Sequence, residues 1–238
     1  RVTSGALGDT ESILRGRCPL AQFIPFLPSG RFESMLRHRR DPAFAGWGIQ
    51  LGMPASKLSS KTRLRSCRMC IADDTHNFGI PRWRLPHQLA GAWVCLEHNC
   101  MLAVDSTASS QWLLPHTGAH AGLQSAASSA EAAALQRLAG LSSIACRTDH
   151  LDVEALRQSV LARLRDGGVV GWSRKIQRSK LASWFVSKPL SNWLRTLQSP
   201  EASLCNGEWI HDLLGRRRED HPLKWLVLWT TVFDEEDQ

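Results

Sequence analysis

Cys67 and Cys70 stand two residues apart, and after an interval of 24 residues Cys95 and His98 repeat that spacing. Two ligands so spaced can reach one ion from a tight knuckle, and a second knuckle closes a tetrahedron. Three thiolates and one imidazole suit zinc, and a tetrahedron filled by protein leaves no position for activating water. The expectation is one structural Zn2+ held by Cys67, Cys70, Cys95 and His98, with Cys100 the nearest substitute for His98. His87, between the pairs, reads as a hydrogen-bonded histidine of the same module. No βαβ pattern surrounds the Cys67–Cys70 pair, which argues against a redox motif. The H-x-E and P-C-x-x-C signature of a nucleobase deaminase is absent. Four of the seven cysteines crowd into residues 67–100, unlike a disulfide framework, and point to a reducing compartment. Cys18, Cys146 and Cys205 read as small buried apolar residues.

The elements that must position these ligands come from a chain of 238 residues, 43% hydrophobic and 21% charged, long enough for one large domain or two small ones. No apolar run reaches 18 residues, so no transmembrane helix and no membrane partner are expected. The chain starts at Arg1 without Met or a basic-then-apolar signal pattern, and reads as processed or internal. Residues 1–55 read as a truncated helical segment punctuated by prolines, with Ser29 a candidate N-cap for a helix bearing Phe32, Met35 and Leu36. Residues 56–105 read as the metal module with short strands. Residues 106–150 are an Ala/Ser-rich linker with a helix from about Ser129 to Leu141. Residues 151–238 read as a helical lobe, beginning with a helix whose inner face is Leu151, Ala155, Val160 and Leu164 and which ends at Gly167-Gly168. The predicted class is mainly α with a small zinc-binding module containing short β-strands, in two lobes, the C-terminal one with a candidate helix-turn-helix.

The net charge of +7 is uneven: residues 1–105 carry +6, and the last third carries +5 once the acidic tail Asp234–Asp237 is set aside. Two basic lobes suggest a polyanion such as double-stranded DNA; the alternative is charge that only serves solubility. No acid occurs between Gly167 and Pro200, where Arg174, Lys175, Arg178, Lys180, Lys188 and Arg195 alternate with Trp172, Trp184 and Trp193. Helices on either side of Pro189 make this the first candidate DNA face. A solvated helix face with the tryptophans in the core suits the same pattern. Lys61, Arg63, Arg65 and Arg68, with Lys57, Arg82 and Arg84, form a second candidate that could track phosphates, or a charged approach to a zinc knuckle. Arg216, Arg217 and Arg218 are followed by Glu219 and Asp220 and read as a surface loop.

The run from Arg65 to Leu102 resembles the zinc-finger signature of the TniQ family of transposon target-selection proteins. The resemblance rests on Arg65, Cys67, Cys70, Asp73 or Asp74, Gly79, Trp83, Arg84, His87, Gln88, Leu89, Gly91, Val94, Cys95, His98 and Leu102. The stretch before it and the helices from Trp209 and His221 extend the likeness, the latter toward the TnsD-like branch. The family's N-terminal start and a second Cys/His cluster are missing, and Ala90 stands where the family often has Pro. The resemblance implies a non-catalytic adaptor of the bacterial cytoplasm, associated with the nucleoid. Such a protein binds target DNA, or an RNA-guided CRISPR effector complex, and recruits an AAA+ ATPase transposition regulator. A zinc-containing DNA-binding transcription regulator is the alternative. A metal-dependent nuclease finds no clustered acids to hold magnesium. Ten tryptophans leave room for a homodimer interface or for a Trp-rich core.

Overall fold

The computed structural model describes residues 8–41, 43–44, 46–51, 58, 64–105, 113–116, 120–121, 128–171, 176–215 and 221–233. Among them no helix is long and apolar enough to cross a membrane. The N-terminal part holds α1 (Thr10–Gly16), a 3₁₀ helix (Pro19–Phe26), α2 (Arg31–His38) and α3 (Trp47–Gln50). Asp9 caps α1 by accepting the N–H of Ser12 at 2.8 Å. Pro25 has no N–H to give an α-helical ladder, and its segment runs as 3₁₀. α2 is entered through Gly30 at φ +74°, and no side chain caps it, so Ser29 does not play the expected part. Leu14, Phe23, Ile24, Leu27, Phe32, Met35 and Leu51 form the small core of this region.

The metal module is built from β1 (Arg65–Ser66), α4 (Arg68–Phe78), α5 (Leu85–Gln88), β2 (Val94–Cys95), β3 (Cys100–Met101) and β4 (Ala103–Asp105). β2 and β3 form an antiparallel hairpin in which Cys95 faces Cys100. β1 pairs antiparallel with β4, and β5 (His120–Ala121) adds to the other edge of β4. The short strands match expectation, and one of them comes from beyond residue 105.

The helical lobe comprises α6 (Ser129–Ala145), α7 (Val153–Asp166), α8 (Arg178–Val186), α9 (Pro189–Arg195), a 3₁₀ helix (Pro200–Asn206), α10 (Glu208–Gly215) and α11 (Pro222–Val232). Ser128 and Asp152 cap α6 and α7 through their side-chain oxygens. α6 is the hub: it meets α9, α11, β2 and the 3₁₀ helix Pro19–Phe26. Its Leu135 and Leu138 are wholly buried, each stabilising by about 1.5–3 kcal/mol on transfer from water. In α7 the inner face is Leu156, Val160, Leu161 and Leu164; Val160 and Leu164 fall where expected, while Ala155 faces solvent and its neighbour Leu156 takes the inward place.

The main core crosses the expected boundary between lobes. Trp93 and Val94 of the metal module share one cluster with α6–α11, and the ring of Trp93 sits 4.7 Å from that of Trp193. The joint also has a buried polar part. Gln22 Nε2 donates to the carbonyl of Ala90 at 2.8 Å, and the N–H of Ala90 donates to Gln22 Oε1 at 2.9 Å. Ser142 Oγ donates to the same carbonyl at 2.8 Å. Gly91 follows at φ +88°, pressed against α6 and α11.

Candidate metal centre

Each ligand pair occupies a tight turn that the fold builds in a different way. Cys67 leaves β1 and is the extended N-cap residue of α4, so Cys70 falls in the first helical turn. The second pair lies on the β2–β3 turn, closed by Asn99 at φ 48°, a left-handed conformation that asparagine tolerates. Backbone N–H groups of Cys70 and Met69 point at Cys67, and those of His98 and Glu97 at Cys95. Both knuckles therefore offer amide dipoles to a thiolate.

The four side chains converge. One ligand atom from each of Cys67, Cys70, Cys95 and His98 lies within 4.8 Å of all the others. Nδ1 of His98 is 3.5, 3.3 and 3.6 Å from the sulfurs of Cys67, Cys70 and Cys95, and Cys70 Sγ is 3.6 Å from Cys95 Sγ. A tetrahedral ion with sulfur at ~2.3 Å and nitrogen at ~2.0 Å requires edges of roughly 3.5–3.8 Å. The donor set fits such an ion in type and spacing. Cys100 Sγ is 3.4 Å from Cys67 Sγ but outside the mutually close set. The three ligand cysteines are 1–2% exposed. Burial pushes the Cys70 thiol up, and its neighbouring sulfurs push it further. Burial likewise raises Cys95. Burial also acts upward on Cys67, but the amides of Cys70 and Met69 and the Cys100 thiol outweigh it and lower that thiol. A cation is what would let three thiolates share this space.

The residues around the ligands have structural employment that composition alone does not reveal. Asp73 Oδ2 lies 3.1 Å from His98 Nε2. Asp74 is buried and accepts from Arg82 and Arg84, each at 3.0 Å, while Arg84 also reaches Glu97. These partners hold the Asp74 carboxyl below its usual range against the opposing effect of burial. Gln88 exchanges hydrogen bonds with the backbone of Arg65, and Leu89 and Leu102 fill the small core beside the sulfurs. Gly79 ends α4 at φ +76°, and Trp83 Nε1 donates to the carbonyl of Leu113.

His87 Nε2 is 3.8 Å from Cys70 Sγ. Burial, with help from the charge of Arg84, lowers His87 to a pKa of about 4. In the unfolded chain it reverts to the ordinary 6.5, so as pH falls the unfolded state takes up the proton first. The stability associated with neutral His87 is complete above about 6.5 and is lost as pH falls through about 4. Thermal unfolding is expected to show a falling midpoint across this window and a shallower fall in His87→Gln. Equal slopes in the two proteins would mean that His87 is not the source of the acid sensitivity.

The basic residues are placed unevenly. Arg65 is the clear correction: it is 8% exposed, and its guanidinium donates to the carbonyls of Ala92 and Leu89 at 2.6 and 3.0 Å. It holds the two knuckles together and presents nothing to a phosphate. Arg68 is exposed at the start of α4. Arg178 is exposed but paired with Asp212 at 2.7 Å, Lys180 and Arg195 are exposed, and Lys188 lies over the Trp184 ring at 5.5 Å. Lys57, Lys61, Arg63, Trp172, Arg174, Lys175 and Arg216 to Arg218 lie outside the described residues. Helices α8 and α9 do flank a short turn, but α9 buries Leu190, Ser191, Trp193 and Leu194, so little of it is free to enter a groove. Trp193 belongs to the core and Trp184 packs against it.

With this geometry in place, residues 18–102 match the TniQ family model. The match contains all four candidate ligands and bears out the resemblance seen in the Arg65–Leu102 run. The helical lobe from α6 onward lies beyond it. Among characterised proteins, the chain is similar to the Transposon Tn7 transposition protein TnsD of Escherichia coli, with 27% identity over 99 residues. That stretch is 40% of this chain and 20% of the relative, so the chain matches about a fifth of that protein's length.

Proposed function

We propose that this chain is a target-selection adaptor in DNA transposition. It engages double-stranded target DNA, or an RNA-guided effector complex bound to that DNA, and recruits the AAA+ regulator of transposition. The observation that carries this reading is the TniQ match over residues 18–102, with the knuckle ligands inside it. The ion is Zn2+, chosen by three thiolates and one imidazole in a closed tetrahedron. A closed site supplies folding energy and no Lewis-acid step, which agrees with the non-catalytic adaptor role that the TniQ resemblance implies. The first turn of α8 supports DNA contact: Gln177, Ser179 and Lys180 are exposed, no side chain caps the turn and its own residues include no acid, although Asp212 of α10 engages Arg178 there.

The test is retention of the regulator on DNA. Purified chain, AAA+ regulator and fragmented genomic DNA are mixed near physiological salt, and the retained DNA is sequenced. Regulator retention that depends on the chain is expected; chain that retains neither DNA nor regulator overturns the reading. For the DNA face, Lys180→Ala and Arg195→Ala are each expected to weaken binding and to reduce the slope of log K against log salt by about 1. Unchanged slopes in both variants would move the face elsewhere.

A further inference from the structure

α4 carries two adjacent carboxylates with different tasks. Asp74 turns inward to Arg82 and Arg84. Asp73, three residues after the ligand Cys70 and so about one turn along the same helix, reaches His98 Nε2 at 3.1 Å. The other nitrogen of that ring, Nδ1, is the atom that faces the three sulfurs, at 3.3–3.6 Å. A neutral imidazole has one N–H and one lone pair, and the partner of one nitrogen decides the role of the other. A carboxylate only accepts, so the proton belongs on Nε2 and the lone pair on Nδ1, aimed at the ion.

We propose that Asp73 is a positioning residue of the metal centre, fixing His98 in the Nε2–H tautomer and in the ring orientation that presents Nδ1 to the ion. The proposal rests on the metal reading of the four ligands. It gives separate parts to Asp73 and Asp74, which the sequence pattern leaves interchangeable. Outer partners of this kind change metal affinity by roughly 10–100-fold. The Asp73 side chain is 51% exposed, and water competes for its oxygens, which places the expected effect near the lower end of that range.

The experiment uses the full chain loaded with Zn2+. Competition with a chromogenic chelator gives the affinity, and nitrogen-15 histidine spectra report which ring nitrogen of His98 binds metal and which carries the proton. In the unaltered chain Nδ1 is expected to be metal-bound and Nε2 protonated. Asp73→Leu is expected to lower Zn2+ affinity about tenfold and to weaken the Nε2–H signature. Asp73→Asn keeps a carbonyl acceptor and is expected to retain the tautomer with a smaller loss. Leucine favours helix more than aspartate, so α4 should persist, and circular dichroism checks this. Equal affinity and an identical tautomer in Asp73→Leu overturn the proposal, as does metal bound through Nε2 in the unaltered chain; the spectrum of that chain decides even if Asp73→Leu fails to fold. Unaltered chain that takes up no stoichiometric Zn2+ overturns the metal reading and this proposal together, whereas one equivalent bound equally by all variants overturns this proposal alone.

Discussion

Cys67→Ser is expected to abolish stoichiometric Zn2+ binding and to unfold the knuckle module. The core of that module consists largely of its ligands: Cys67, Cys70 and Cys95 with Leu89, Ala92 and Leu102. So few apolar side chains cannot offset the chain entropy of the surrounding loops. Structural zinc contributes about 10–16 kcal/mol in isolated knuckle peptides, comparable with the whole net stability of about 5–15 kcal/mol of an ordinary domain. Serine leaves the volume nearly unchanged, so the loss reports on the metal bond. Metal analysis of the purified variant, with hydrogen exchange over residues 64–105, checks the result. Unchanged metal content would rule out the ligand set. The helical lobe is expected to be loosened at Trp93 and Val94, which belong to both regions.

Gly91→Ala carries the second largest expected effect, although it touches no ligand. Gly91 has φ +88°, a region that L side chains rarely adopt. A Cβ there would lie 2.8 Å from Ser142 Oγ and 3.2 Å from both Leu138 Cγ and Leu223 Cδ1. Ser142 cannot turn aside freely, because its hydroxyl is hydrogen-bonded at the joint to the Ala90 carbonyl. Backbone strain and overpacking together are expected to cost about 2–4 kcal/mol. Denaturant unfolding should show a lower midpoint with an unchanged slope. A cost under about 0.5 kcal/mol, the range of ordinary surface substitutions, would mean that the three elements do not meet as closely as described.

The convergence of Cys67, Cys70, Cys95 and His98 into a cluster that could hold a metal was legible in the sequence because knuckle geometry is local: two residues of spacing determine what each pair can do. The parts that were not legible depend on distant chain segments. Arg65 looked like a phosphate contact because a string of charges carries no record of burial; its partners, the carbonyls of Leu89 and Ala92, are brought to it by the loop after α5. Asp73 and Asp74 were indistinguishable until the helical register of α4 separated them. The helix from about Ser129 was legible from its Ala, Leu135 and Leu138 and runs on to Ala145, but its place as the hub was not, because α9 and α11, which pack against it, come from distant segments. The proposed helix-turn-helix has its two helices and its turn, but apolar Leu190, Trp193 and Leu194 draw α9 into the core.

The joint at Ala90 has a mechanical meaning. One carbonyl is gripped from the N-terminal 3₁₀ helix by Gln22 and from the central helix by Ser142, and the amide on the same residue is held as well. A linkage held at both its amide and its carbonyl resists pivoting more than one held at a single atom. Turning the knuckles against the helices would have to break these hydrogen bonds, each worth about 0.5–1.5 kcal/mol, before the apolar contacts at Trp93 and Val94 gave way.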